Sequence, residues 1–295
     1  MSRHDLASNS SIAARSTVKI LRQILLVGVI SGLALTANGV AMAQSGGAAA
    51  VTIPLRFAKT IDAKKAHKGD PVTAHTMQAV TLADGTQLPK GSAVRGHITE
   101  VRAFSFDPTP YAKQQPSTLA IHFDEVTTPG GSKKINASVR ALADRFAADD
   151  ASLPHYQDDT DHVGMMELIG GGSFNPLEKR IVSGDEDAIG YNRKGGVYAR
   201  LLSADYQGKY SQGHCDGSGG EQSVAIFSPM ACGVYGFDGI YMPENGSASS
   251  SGTFRLEARH HNVRIAERSA ALLELNNASV QNGQVVSGTD DVSGR

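Results

Sequence analysis

Between residues 61 and 139, apolar and polar side chains alternate in short runs, and each run stops at a turn signal. Val72, Ala74 and Thr76 would share one face of an extended segment, with Thr73, His75 and Met77 on the other. Val94, Gly96 and Ile98 stand in the same relation to Arg95, His97 and Thr99, as do Leu119, Ile121 and Phe123 to Thr118, Ala120 and His122. Ile135, Ala137 and Val139 alternate with Asn136 and Ser138. Period-two alternation puts one face of each strand in a core and the other in water. The intervening runs Gly69-Asp70-Pro71, Asp84-Gly85, Pro89-Lys90-Gly91 and Pro129-Gly130-Gly131 supply the positive φ angles and fixed φ angles that tight turns need.

A second set of short apolar runs follows residue 196. Residues 223–227, 233–236, 253–258, 262–265 and 271–275 read as strands separated by Gly, Ser and Asn. Between the two sets lies an acidic, glycine-rich stretch, with Asp149-Asp150, Asp158-Asp159 and Asp185-Glu186-Asp187 around one short predicted helix at 163–169 that ends at Gly170-Gly171-Gly172. These acidic runs lack the alternating oxygen ligands and terminal Glu of a calcium loop, so a solvated excursion is expected. The pattern predicts a mainly β fold: a barrel-like or sandwich core of short antiparallel strands, long irregular loops and at most one short helix. Residues 51–275 form a single β domain in this reading, with β segments 51–143 and 197–275, an irregular excursion at 144–196 and a disordered tail at 276–295.

Composition adds a compartment. Arg15, Lys19 and Arg22 precede an apolar run of 14 residues, 24–37, and Ala41-Met42-Ala43 offers the small residues that a signal peptidase requires. A run of that length is short for a bilayer span of about 20 residues, so residues 1–43 read as a cleaved signal peptide and 44–50 as an Ala/Gly spacer. Cleavage leaves 24 basic against 28 acidic residues, which excludes the clustered positive charge of a nucleic-acid binder. The 32 glycines and the absence of tryptophan fit a turn-rich β protein.

Candidate chemistry is sparse, and no cofactor motif is present. The two cysteines, Cys215 and Cys232, are expected to form a disulfide in an oxidising compartment. A cysteine metal site with His214 or His260-His261 is the competing reading, and it lacks the usual Cys-x2-4-Cys or His-x3-5-His spacing. His75, His97 and His122 lie on three successive strands, the arrangement from which imidazoles converge on a metal ion. His75, Asp124 and Ser218 also follow the chain order of a chymotrypsin-like triad. The run Asp216-Gly217-Ser218-Gly219-Gly220 inverts the Gly-Asp that such an enzyme places before its serine, however, and so removes the oxyanion-hole donor.

Three stretches, GDPVTAHTMQAV at 69–80, QLPKGSAVRGHITEV at 87–101 and NVRIAERSAALLEL at 262–275, resemble the periplasmic β-domain of TrbI-like subunits that bridge the membranes in conjugation and type IV secretion. They also resemble a broad group of exported proteins of soil bacteria. The likeness covers about a third of the chain and implies a barrel-like β fold in the cell envelope. The bridging subunits keep a cytoplasmic tail, an uncleaved membrane helix and a Pro-rich linker, none of which is read here. The sequence therefore points to an exported, non-catalytic envelope module in the periplasm or outer envelope. Another envelope protein, a second copy or cell-wall polymer is the expected partner, no membrane span remains after cleavage, and a metal- or small-ligand-binding protein is the alternative.

Overall fold

The computed structural model describes residues 51–106, 114–205, 214–217, 219–243 and 252–275. The expected leader (1–43), spacer (44–50) and tail (276–295), and Ser218, lie outside the described residues. In chain order the first part gives β1 (Val51–Phe57), β2 (Ile61–Asp62), β3 (Pro71–Thr76), β4 (Val80–Thr81), β5 (Gln87–Leu88), β6 (Ala93–Arg102), β7 (Ser117–Thr128), β8 (Gly131–Lys134) and β9 (Ala137–Ala143). The middle gives α1 (Arg145–Asp150), β10 (Pro154–His155), β11 (Met165–Glu167), β12 (Ser173–Phe174), β13 (Arg180–Val182), β14 (Ala188–Arg193) and β15 (Gly196–Ala199). The last part adds β16 (Ala204–Asp205), β17 (His214–Cys215), β18 (Gln222–Ser223), β19 (Gly233–Tyr235), β20 (Ile240–Tyr241), β21 (Thr253–Ala258), β22 (Arg264–Ile265) and β23 (Ala270–Leu275).

Nine strands build one curled sheet in the order β19-β9-β23-β1-β3-β6-β7-β21-β20, with β8 paired to β7. The two outermost strands, β19 and β20, are joined by residues 236–239 alone, so the sheet returns nearly onto itself as a barrel. Strands from both expected β segments interleave in it. Its interior is filled by the alternating apolar residues, among them Ile53, Leu55, Val72, Val94, Ile121 and Leu273, all at most 2% exposed. Phe123 packs between Phe57 and Phe254 at ring-centroid separations of 6.3 and 6.1 Å.

Two irregularities in the β6–β7 ladder let a closed wall curve. Gly96 opposes Phe123 while Arg95 opposes Glu125, so Asp124 is an extra residue in β7; Ile98 opposes Ile121 while Glu100 opposes Ala120, so Thr99 is extra in β6. Each extra residue resets the alternation, which is why Val126 and Val101 still turn inward after Phe123 and Ile98. Gly96 sits at the tightest point of this ladder. A Cβ placed there would lie 2.1 Å from the carbonyl oxygen of His122, so only glycine allows the approach.

The stretch 144–196 is ordered, contrary to the irregular excursion expected from its acidic composition. It carries α1, capped by Asp144 accepting from Ala147 N at 2.7 Å, and the first five strands of a second, seven-stranded sheet, β10-β11-β12-β13-β14-β15-β18. The helix expected at 163–169 is instead the strand β11. Asp161 accepts the amides of Val163 and Gly164, Gly164 adopts φ +65°, and Gly170, Gly171 and Gly172 all have positive φ and turn the chain into β12. Asp158 and Asp161 are held below the usual carboxylate range chiefly by such bonds, Asp158 by the side chain and amide of Thr160 and Asp161 by the amides of Gly164 and Gln157. The acidic runs are spent on turns. The strand expected at 223–227 is shorter than read, because after β18 the chain turns at Val224–Phe227, with Phe227 N donating to Val224 O at 2.9 Å.

This second sheet lies on the outer faces of β9, β23 and β1. Ala141, Ala143, Ala270 and Leu272 on the outside of the barrel pack with Leu168, Ile169, Phe174, Ile181 and Phe227 in a second apolar core. Buried polar bonds fix the junction: Thr52 N donates to Gln222 Oε1 at 3.1 Å, and Thr52 Oγ1 donates to the Ser223 carbonyl at 2.7 Å. Gln78 Nε2 donates to Val197 O and Ser223 Oγ while its Oε1 accepts from Val197 N at 3.0 Å, so a side chain takes the place of a neighbouring strand. Among the described residues no helix is long and apolar enough to cross a membrane.

Candidate functional site

A cleft of about 770 Å³ opens where the outer face of β1 and β3 meets the second sheet. That volume falls within the range of small-molecule sites, about 300–1,000 Å³. Met77, Met166, Leu168, Phe174, Val197 and Ile226 make its floor and far wall. The barrel side contributes a basic row. Arg56 opposes His75 in the β1–β3 register, and Lys90 joins them because Gly91 N bonds Thr76 O and Thr76 N bonds Ser92 O, which folds the turn before β6 against the end of β3. No acidic residue lines the cleft.

The hydroxyls of the lining are committed to backbone carbonyls. Thr76 Oγ1 donates to Pro89 O at 2.7 Å, and Ser152 Oγ donates to Ala148 O at 2.6 Å while accepting from Arg56. Arg56 also bonds Asp149 at 3.2 Å, and Asp149 is shared with Arg268, so one carboxylate balances two guanidinium groups. Among the described residues neither Lys90 nor His75 has a hydrogen-bond or ion-pair partner. At the rim Ala225 holds φ +48°, a left-handed conformation that a Cβ disfavours.

The three histidines read from the sequence do not converge. His97 and His122 are direct cross-strand partners with ring centroids 5.7 Å apart, and the bulge residue Asp124 lies 2.8 Å from His97 Nδ1 and 3.7 Å from His122 Nε2. His75 is elsewhere: Pro71 opposes His97 in the β3–β6 register, and His75, four residues further on, opposes Ala93, about 13 Å along the strand. Among the described residues no group of three His, Cys, Asp or Glu is placed to hold a metal ion. The same register separates two members of the serine-protease triad, since Asp124 serves His97 and His122 while His75 faces the cleft; Ser218 lies outside the described residues.

Cys215 and Cys232 are joined, with sulfurs 2.08 Å and Cα atoms 6.0 Å apart, so neither is a free thiolate to share a metal ion with His214 or with His260-His261. His214 instead lies 3.0 Å from Asp205, and both ring nitrogens of His261 meet backbone carbonyls. Beside the disulfide Arg140 is fully buried, bonding the carbonyls of Ala231, Asp216, Leu202 and Pro229 and lying 3.7 Å from Glu274. Burial draws Arg140 below its ordinary value and pushes Glu274 up despite their mutual attraction. This is a structural clamp on the loops around β17 and β19.

Sequence reading missed most of the cleft, because Met166, Leu168 and Phe174 fall in the stretch read as irregular. One signal was present. Met77 continues the polar face of Thr73 and His75, and an apolar residue there marks a face covered by something else. Comparison of the chain with protein-family models, curated proteins and solved structures gave no match.

Proposed function

We propose that this chain is an exported, non-catalytic binding module of the cell envelope, and that its ligand occupies the cleft between the barrel and the second sheet. The observation that carries the reading is the cleft itself: a concave, largely apolar site with a few basic groups on one wall. The commitment of the Thr76 and Ser152 hydroxyl protons to carbonyls supports binding over nucleophilic chemistry, since neither rests on a base. The joined cysteines fit an oxidising compartment, and the leader pattern and the resemblance to TrbI-like periplasmic domains support an envelope location. The amino terminus of the envelope-extracted protein is expected at Gln44, read by Edman degradation.

The neutral apolar dye N-phenyl-1-naphthylamine tests the site. The chain has no tryptophan, so Met166→Trp installs a single tryptophan on the cleft wall, excited apart from the eight tyrosines at the red edge of its absorption. Saturable dye binding, with energy transfer from that tryptophan, is expected. Dye fluorescence that rises without saturation, or saturates with no transfer, would remove the cleft as the ligand site.

A further inference from the structure

The cleft is more selective than an apolar hollow. The chain as a whole carries a net charge of −1, yet the cleft is lined by Arg56, His75 and Lys90 with no carboxylate among its lining residues. Arg56 is held in place by Asp149, Ala148 O and Ser152. Lys90 is exposed and carries its charge to the mouth without a partner among the described residues. A low-dielectric wall beside an unbalanced positive charge concentrates the local field and favours an anion at that end of the site. Met77 on the barrel side and Met166 on the second sheet present two thioethers, with Leu168, Phe174 and Ile226 beside them, and unbranched thioethers fit a flexible chain of varying shape.

We propose that the cleft binds a single-chain amphiphile with an anionic head, its carboxylate or phosphate at Lys90 and His75 and its alkyl chain along Met77, Met166 and Phe174. The inference rests on the binding-module reading and adds the ligand class. Three features of the site match this ligand: charge of one sign on one wall, an apolar floor, and lining hydroxyls that have no proton left to donate to a sugar or peptide. Each buried methylene adds about fourfold to affinity, so shortening the chain by two carbons weakens binding about fifteenfold.

The test is displacement of N-phenyl-1-naphthylamine from the full chain by dodecanoate, dodecyl phosphate, dodecanol and dodecyltrimethylammonium, all below their micelle concentrations. The two anions are expected to displace the dye at concentrations at least about tenfold lower than dodecanol, with decanoate about fifteenfold weaker than dodecanoate. Lys90→Glu, a change at an exposed turn residue, is expected to cut dodecanoate affinity about tenfold, leave dodecanol unchanged and improve dodecyltrimethylammonium. High salt should narrow the gap between anion and alcohol. Equal displacement by dodecanoate and dodecanol, or dodecanoate affinity indifferent to Lys90→Glu, would overturn the ligand class while leaving the cleft a binding site. Dye that never binds would overturn the underlying reading instead.

Discussion

At the scale of single residues, two backbone positions make opposite demands on side-chain size. Gly96 faces the His122 carbonyl so closely that even a methyl group has no room, and the obstacle is backbone, which cannot rotate away. Gly96→Ala is therefore expected to cost about 3 kcal/mol or more in urea unfolding; a stability within error of the parent would show that the β6–β7 ladder relaxes there. Ala225 is the reverse case, a residue with a Cβ at φ +48°. Ala225→Gly relieves the left-handed strain at a smaller entropic cost, for a gain of up to about 1 kcal/mol and a rise of about 2 °C in melting temperature by calorimetry. Neither demand was fully visible in the sequence. Gly96 fell on the apolar face of an alternating run and read as an ordinary inward position, because the register that brings His122 opposite is a long-range fact.

At the scale of elements, the alternating strands β3, β6, β7 and β21 were legible because one face of each meets the barrel core, and β23, covered on both sides, was legible as a short continuous apolar run. β1 was legible in principle, since Val51, Ile53, Leu55 and Phe57 alternate with Thr52, Pro54 and Arg56, but Pro54 in its centre argues against a central strand. The second sheet was not legible. Its strands are two to six residues long, and its turns are built from the same Asp and Gly that mark solvated loops. Among elements the clamp of Arg140 on β9 and Glu274 on β23 makes a pH prediction. Burial raises Glu274 above its ordinary 4.5, so the folded state binds a proton more tightly than the unfolded chain. The contribution of this group to stability is then fully present below about pH 4.5 and is lost as pH rises through the raised value. Glu274→Gln is expected to remove that decline, so that its urea midpoint gains on the parent between pH 4.5 and neutrality, while Arg140 keeps its four carbonyl partners. A parent and variant whose midpoints run parallel over that range would show that Glu274 is solvated in solution.

At the scale of the whole molecule, the cleft exists because a second sheet leans on one side of a barrel that is otherwise solvated and charged. The far wall of that barrel carries Arg95 with Glu125, His97 with Asp124, and Arg255 between Glu100 and Glu257. The two layers share an apolar core, but near the cleft their relative position is fixed by Gln78, which occupies both backbone groups of Val197. Gln78→Ala would leave the buried amide of Val197 unpaired, while its carbonyl keeps the amide of Val224 at 3.0 Å, at a cost of about 2 kcal/mol. Because that cost falls on the contact between layers and not on the barrel ladders, the loss is expected to be local: amide exchange should accelerate in β14, β15 and β18 and stay slow in β6, β7 and β21. Dye binding in the cleft should weaken in the same variant, since the wall carrying Val197 would no longer be held against the barrel. Uniform acceleration across both sheets would mean that the layers unfold as one unit and that the cleft has no independent freedom to open.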